Sequence, residues 1–128
     1  MSRQRPIPLR WRDLDAFGHV YHGEFLTLLD EARTGWVADT LAGENPESYV
    51  LARLEIDYVS PLQLQDGAVQ VEFSVVRVGT SSLTLTETMR TTGGRVVSTG
   101  RSVIVMRDPA SGSSRQLTDD ERARAEAD

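Results

Sequence analysis

Apolar residues change their period along this chain, and each change marks an element. From Pro6 to Arg12, Ile7, Leu9 and Trp11 alternate with Pro8, Arg10 and Arg12. That spacing predicts a half-buried strand, and the prolines place it near a sheet edge. A loop follows through Gly18. Between about His22 and Ala42 the period lengthens: Phe25, Leu28, Leu29, Ala32, Trp36 and Val37 recur at steps of three and four. This predicts one long amphipathic helix, with Glu24, Asp30, Arg33 and Thr34 on its polar face. Gly43 is the expected residue just past its end.

After the polar stretch Glu44–Ser48 the period falls to two. Ala52, Leu54, Ile56 and Tyr58 alternate with charged residues until Pro61, and Val69, Val71, Phe73 and Val75 alternate with polar ones. Gly79–Ser81 reads as a hairpin turn, after which Leu83, Leu85 and Met89 alternate with threonines 84, 86 and 88. Gly93-Gly94 is a two-residue hairpin signal. A last strand covers roughly Val96 to Arg107. Residues 1–110 form the expected domain, and 111–128 a polar tail in which Thr118 and Glu121 have capping-box spacing for a short helix. Short turns imply antiparallel pairing. The expected fold class is therefore α+β: an antiparallel sheet of about five strands against one long helix. Val76, Val78, Val97, Val103 and Val105 are expected to leave the other face of the sheet partly apolar, which favours two-fold self-association.

Composition narrows the chemistry. The chain has 128 residues, 39% of them hydrophobic and 26% charged, which suits one globular domain. The longest apolar run, Val103–Met106, is far too short to span a bilayer. Arg3 and Arg5 are followed by Pro6 and Pro8 and not by an apolar segment, so no secretory signal and a cytoplasmic location are expected. There is no cysteine, which excludes thiolate catalysis and cysteine zinc sites. With two histidines in the chain, no metal site is expected. A net charge of −5 argues against nucleic-acid binding. All 14 basic residues are arginine, so lysine chemistry is absent while bidentate phosphate contacts remain open.

The densest chemistry lies in Asp15-Ala16-Phe17-Gly18-His19-Val20-Tyr21-His22, immediately before the helix. A helix start offers unpaired N–H groups and partial positive charge, so an acid beside it can act on a carbonyl that those amides polarise. Taken alone, Asp15 fits either that role or a turn or capping aspartate. Asp13, two residues before Asp15, reads as a structural hydrogen-bond acceptor or as a second carboxylate that raises its neighbour's proton affinity. Glu31 and Arg33 fit an interface ion pair or a solvated helix face as well as a functional role.

Trp11 to His22, then Phe25 and the run Asp30-Glu31-Ala32-Arg33, resemble the signature of hot-dog-fold acyl-CoA thioesterases of the 4-hydroxybenzoyl-CoA thioesterase type. Asp57–Pro61 and Asp66-Gly67 resemble that family's second strand and its exit. The resemblance implies a sheet wrapped around a central helix and a homodimer or homotetramer with sites between subunits. It implies hydrolysis of an acyl-CoA thioester without cofactor. It places the catalytic carboxylate on Asp15, the carbonyl-polarising amide on His22, and Glu31 near a partner's site. It makes Gly18, His19, Val20, Tyr21, Phe25 and Ser60 the candidate substrate-binding positions. Many relatives carry asparagine where this chain has Tyr21-His22, and the Tyr-His pair resembles the bacterial branch of short-chain or Tol–Pal-linked thioesterases. Ser60 stands where relatives often have a basic residue. Three other functions stay open: action on acyl-carrier-protein thioesters, a non-catalytic acyl-CoA-binding or assembly module, and a hydratase. The last is disfavoured because the later strands carry no histidine.

Overall fold

The computed structural model describes residues 2–41 and 48–128. Six strands form one antiparallel sheet: β1 (Ser2–Arg3), β2 (Ile7–Pro8), β3 (Tyr49–Tyr58), β4 (Ala68–Val78), β5 (Ser82–Thr91) and β6 (Val96–Met106). The order is β1-β4-β5-β6-β3, with β2 also paired to β4, so β3 is an edge strand. The long helix α1 (His22–Leu41) lies on the inner face of the sheet. Its Phe25, Leu28, Leu29, Trp36 and Val37 meet Val69, Val71, Phe73, Leu83, Leu85 and Met89 in one core. This is the expected α+β arrangement. The expected helix stop at Gly43 lies outside the described residues. Among the described residues, no helix is long and apolar enough to cross a membrane.

The N-terminal strand is shorter than its alternation predicts. It ends at Pro8, and Trp11–Asp13 form a 3-10 turn. Asp13 causes the break. Its buried carboxylate accepts the Arg10 amide at 2.8 Å and the Arg10 guanidinium at 3.0 Å, in the acceptor role expected for it. Leu9 still enters the core, but Trp11 is 80% exposed.

Arg33 does not lie on a solvated face. It is 1% exposed, and its Nε and Nη2 donate to Glu87 Oε2 and Oε1, both at 2.7 Å. The Ser102 hydroxyl donates to Glu87 Oε2 at 2.7 Å. The helical period explains the placement, because Arg33 lies four residues from both Leu29 and Val37 on the buried stripe. Burial opposes its charge, and the hydrogen bonds and charge of Glu87 more than offset that, so its pKa lies above the ordinary arginine value.

Val97 is also buried, contrary to expectation. The β5–β6 register shifts between Met89 and Arg90, and at such a bulge the two-residue alternation is broken, so Val97 and Ser98 both turn inward. Beside it, a Cβ on Gly100 would fall on the Glu55 carbonyl oxygen of β3, so this close strand approach requires glycine.

Residues Asp119–Ala127 form α2. Thr118 and Glu121 make the reciprocal capping box, with Glu121 N–H to Thr118 Oγ1 at 3.0 Å and Thr118 N–H to Glu121 Oε1 at 2.9 Å. Leu117 and Ala125 join the core, and the buried Trp36 indole donates to Asp128 Oδ2 at 3.1 Å.

Candidate active site

The loop between the 3-10 turn and α1 is a small hairpin. Leu14 and Val20 form an antiparallel bridge, and the Asp15 amide donates to the His19 carbonyl at 2.7 Å. Gly18 closes the turn with φ of 81°, in the left-handed region where side chains are strained. Its amide donates to the Asp15 carbonyl at 3.2 Å. The Asp15 carboxylate is fixed by the same turn. Oδ1 accepts the amides of Phe17 at 2.8 Å and His19 at 3.1 Å. Oδ2 takes no hydrogen bond among the described residues. One oxygen therefore anchors the group and the other is free of hydrogen bonds among the described residues.

The loop is also tied to the strand exit beyond β3. Val20 N–H donates to the Leu62 carbonyl at 2.6 Å, His19 bridges Gln63, and Tyr21 N–H donates to the Asp13 carbonyl at 2.9 Å. The chain then enters α1 at His22. No described group accepts the His22 amide N–H, the kind of donor that a helix start leaves unpaired. The twenty residues of α1 add partial positive charge at that end.

Asp15, His19, Val20, His22, Phe25 and Ser60 line one depression of about 330 Å³, together with Tyr58, Val59, Pro61 and Leu62. Gly18 contributes through the turn that holds Asp15. Tyr21 lies beside the depression, its ring 4.2 Å from that of His22. Glu31 is elsewhere: it borders a second depression of about 280 Å³ with Gln4, Arg5, Pro6, Ile7, Ala32 and Gly35. The Ser60 hydroxyl is engaged within the chain, donating to the Val96 carbonyl at 2.8 Å and accepting from Arg95 at 2.7 Å.

Tyr58 is one of four lining residues, with Val59, Pro61 and Leu62, that are not among the candidate positions read from the sequence. Its hydroxyl donates to the His22 carbonyl at 2.9 Å, and its ring stands 5.0 Å from Phe25, edge to face. The signal was present, because Tyr58 continues the inward register of Leu54 and Ile56 at the strand end that meets the first turn of α1. Among the described residues, no three His, Asp or Glu side chains converge to hold a metal ion.

A carboxylate with one oxygen unpartnered among the described residues, the first residue of α1 and a partly apolar wall therefore line one depression. The thioesterase-like superfamily model matches residues 9–125. The chain belongs to the thioesterase-like superfamily. A thioesterase from Thermus thermophilus, solved with coenzyme A and zinc, is 28% identical, with a TM-score of 0.84 over 98% of this chain and 92% of that one. A candidate thioesterase from Pseudomonas aeruginosa is 30% identical, with a TM-score of 0.82 over 94% of this chain and 95% of that one. A candidate acyl-CoA thioesterase from Xanthomonas campestris is 29% identical, with a TM-score of 0.74 over 90% of this chain and 97% of that one. No curated protein matches. The long helix and antiparallel sheet described above match those of these thioesterase structures.

Proposed function

We propose that this thioesterase-superfamily chain is a cytoplasmic acyl-CoA thioesterase, hydrolysing an acyl-CoA to free acid and CoA and working as a homo-oligomer. The observation that carries the reading is the pairing of the open Asp15 oxygen with the unpartnered His22 amide at one depression. The likeness to a thioesterase solved with coenzyme A supports the choice of substrate.

In this reading the thioester carbonyl oxygen accepts the His22 N–H, and α1 stabilises the negative charge that grows there. Asp15 Oδ2 either takes a proton from the attacking water or itself attacks the carbonyl carbon. The C–S bond then breaks and CoA leaves as thiolate, which takes up a proton. In the direct route, water hydrolyses the acyl–aspartate anhydride. Tyr58, Phe25 and Leu62 wall the acyl group, with His19, Val20, Tyr21 and Ser60 around it. No resident cofactor enters the scheme.

Two observations support self-association. Among the described residues β3 pairs only with β6, so its outer edge offers unpaired backbone groups. Trp11 and Phe17, 80% and 86% exposed, project beside the Asp15 loop. Glu31 faces a different depression from Asp15, so in this scheme it serves a neighbouring protomer's site.

The test is a panel of acyl-CoA and acyl-carrier-protein thioesters, with free thiol followed by a colour reagent. Thiol release from acyl-CoA is expected. Tight acyl-CoA binding without thiol release would make the protein a binding module, and release confined to carrier-protein thioesters would change the leaving group.

A further inference from the structure

Arg95 lies in the β5–β6 turn, outside the depression, yet its side chain holds the wall of that depression from behind. Nη1 donates to Ser60 Oγ and to the Pro61 carbonyl, each at 2.7 Å. Nη2 pairs with Asp66 Oδ2 at 2.9 Å. Asp66 Oδ2 also accepts the Gln63 amide at 2.8 Å. One guanidinium fork thus clamps both ends of the segment Ser60–Asp66, a geometry that a lysine ammonium cannot copy.

The middle of that segment is what the Asp15 loop rests on. The Leu62 carbonyl accepts Val20 N–H at 2.6 Å, and Gln63 bridges His19. His19 in turn exchanges bonds with Asp15, its amide to Oδ1 at 3.1 Å and its carbonyl from the Asp15 amide at 2.7 Å. Hydrogen bonds and the peptide links between them therefore connect Arg95, through Pro61–Gln63 and His19–Val20, to the candidate catalytic carboxylate.

We infer that Arg95 is a positioning residue: its grip on Pro61 and Asp66 sets where the Leu62–Gln63 segment stands, and through His19 and Val20 where the Asp15 carboxylate points. This deepens the thioesterase reading and rests on it for the kinetic readout. Arg95 is partly exposed, so the ion pair contributes little to global stability. Its effect is geometric. Small displacements of a reacting group by remote changes lower the chemical step and not the binding step.

Steady-state kinetics of Arg95→Ala and Asp66→Asn test this, with acyl-CoA and with the acyl-pantetheine thioester that lacks the nucleotide phosphates. Asp66→Asn keeps an acceptor for Gln63 N–H while removing the charge opposite Arg95, so it serves if Arg95→Ala does not fold. The expected result is a kcat lowered roughly 10- to 100-fold for both substrates, with little change in KM. Millimolar guanidinium ion restores part of the activity of Arg95→Ala, and the double variant falls no further than the worse single one.

A rise in KM for acyl-CoA alone would overturn the inference by making Arg95 a phosphate contact. Unchanged kcat in a folded variant would overturn it too. Hydrogen exchange at the Val20 amide supplies a readout independent of turnover. It is expected to quicken roughly tenfold in Arg95→Ala, as the loop opens locally. If the wild type splits no thioester, the functional reading fails while the exchange measurement still decides the clamp, and an unchanged Val20 rate would reject it.

Discussion

Replacing Glu87 with glutamine isolates the charge that this fold buries beneath its helix. Two Arg33 N–H groups and the Ser102 hydroxyl converge on the two Glu87 oxygens, all three at 2.7 Å, with both side chains of the ion pair 1% exposed. A carboxamide of the same shape keeps one acceptor oxygen and replaces the other with an NH2 donor. One of the three donors must then face a donor, and the guanidinium loses its counter-charge. Asp30 lies 3.3 Å from Arg33 but is itself exposed, so water screens what it supplies.

Removing one partner of a buried pair costs about 3–5 kcal/mol. For a domain of this size each kcal/mol lowers Tm by about 3–5 °C, so the midpoint should fall by roughly 9–25 °C. Urea unfolding followed by circular dichroism measures the loss, and the slope m should not change. The triple variant Arg33→Met, Glu87→Leu, Ser102→Ala removes charge and donors together, and should recover to within about 2 kcal/mol of the wild type. A loss below about 1 kcal/mol in Glu87→Gln, the range of an exposed pair, would refute the reasoning.

Two further expectations follow from local geometry. Gly100→Ala forces a Cβ onto the Glu55 carbonyl and should cost about 1–3 kcal/mol, read from the same urea curves; a neutral result would mean that the β3–β6 approach yields easily. Glu121, held by Arg115 first and then by the Thr118 amide against desolvation, has its pKa lowered, as does Asp66, held by the Gln63 amide first and also by Arg95. A lowered carboxyl pKa contributes stability in full above the unfolded values, about 4.3 for glutamate and 3.9 for aspartate, and loses it as pH falls through them toward the folded values. Tm should thus hold level from neutrality to about pH 5 and then decline, and Glu121→Gln should shallow that decline. An acid limb identical to the wild type's would remove Glu121 from the account.

Much of the architecture was legible because period maps directly onto burial. The three- and four-residue steps from Phe25 to Val37 and the two-residue alternation of β4 and β5 each fixed an element and its inner face. Val97 was misread because a bulge breaks the alternation, and the other two misreadings turn on a polar group that overrode the apolar count. Asp13 ended the first strand early by capping Arg10, and Trp11 swung outward. Arg33 looked like a surface charge because arginine usually is one, although its spacing from Leu29 and Val37 put it on the buried stripe. Glu87 was the readable clue, since it holds the inward place between Leu85 and Met89. Two opposite charges, each out of character for its register, announced a pair.

At the candidate site, the Asp15 turn and the helix start could be read from the motif itself. Tyr58 and Arg95 could not be weighted, because their meaning depends on where β3 and the β5–β6 turn end in space. Glu31, near Asp15 in sequence, faces another depression because α1 carries it away from the helix start.

The central claim is that the Asp15 carboxylate performs the chemistry on a carbonyl held at the start of α1. Turnover of the best acyl-CoA by Asp15→Asn tests it most directly, with circular dichroism and acyl-CoA binding measured on the same sample. The account predicts a kcat at least about a hundredfold lower, within the usual 10²–10⁴ range for such groups, with fold and binding intact. A folded Asp15→Asn protein that turns over like the wild type would contradict it.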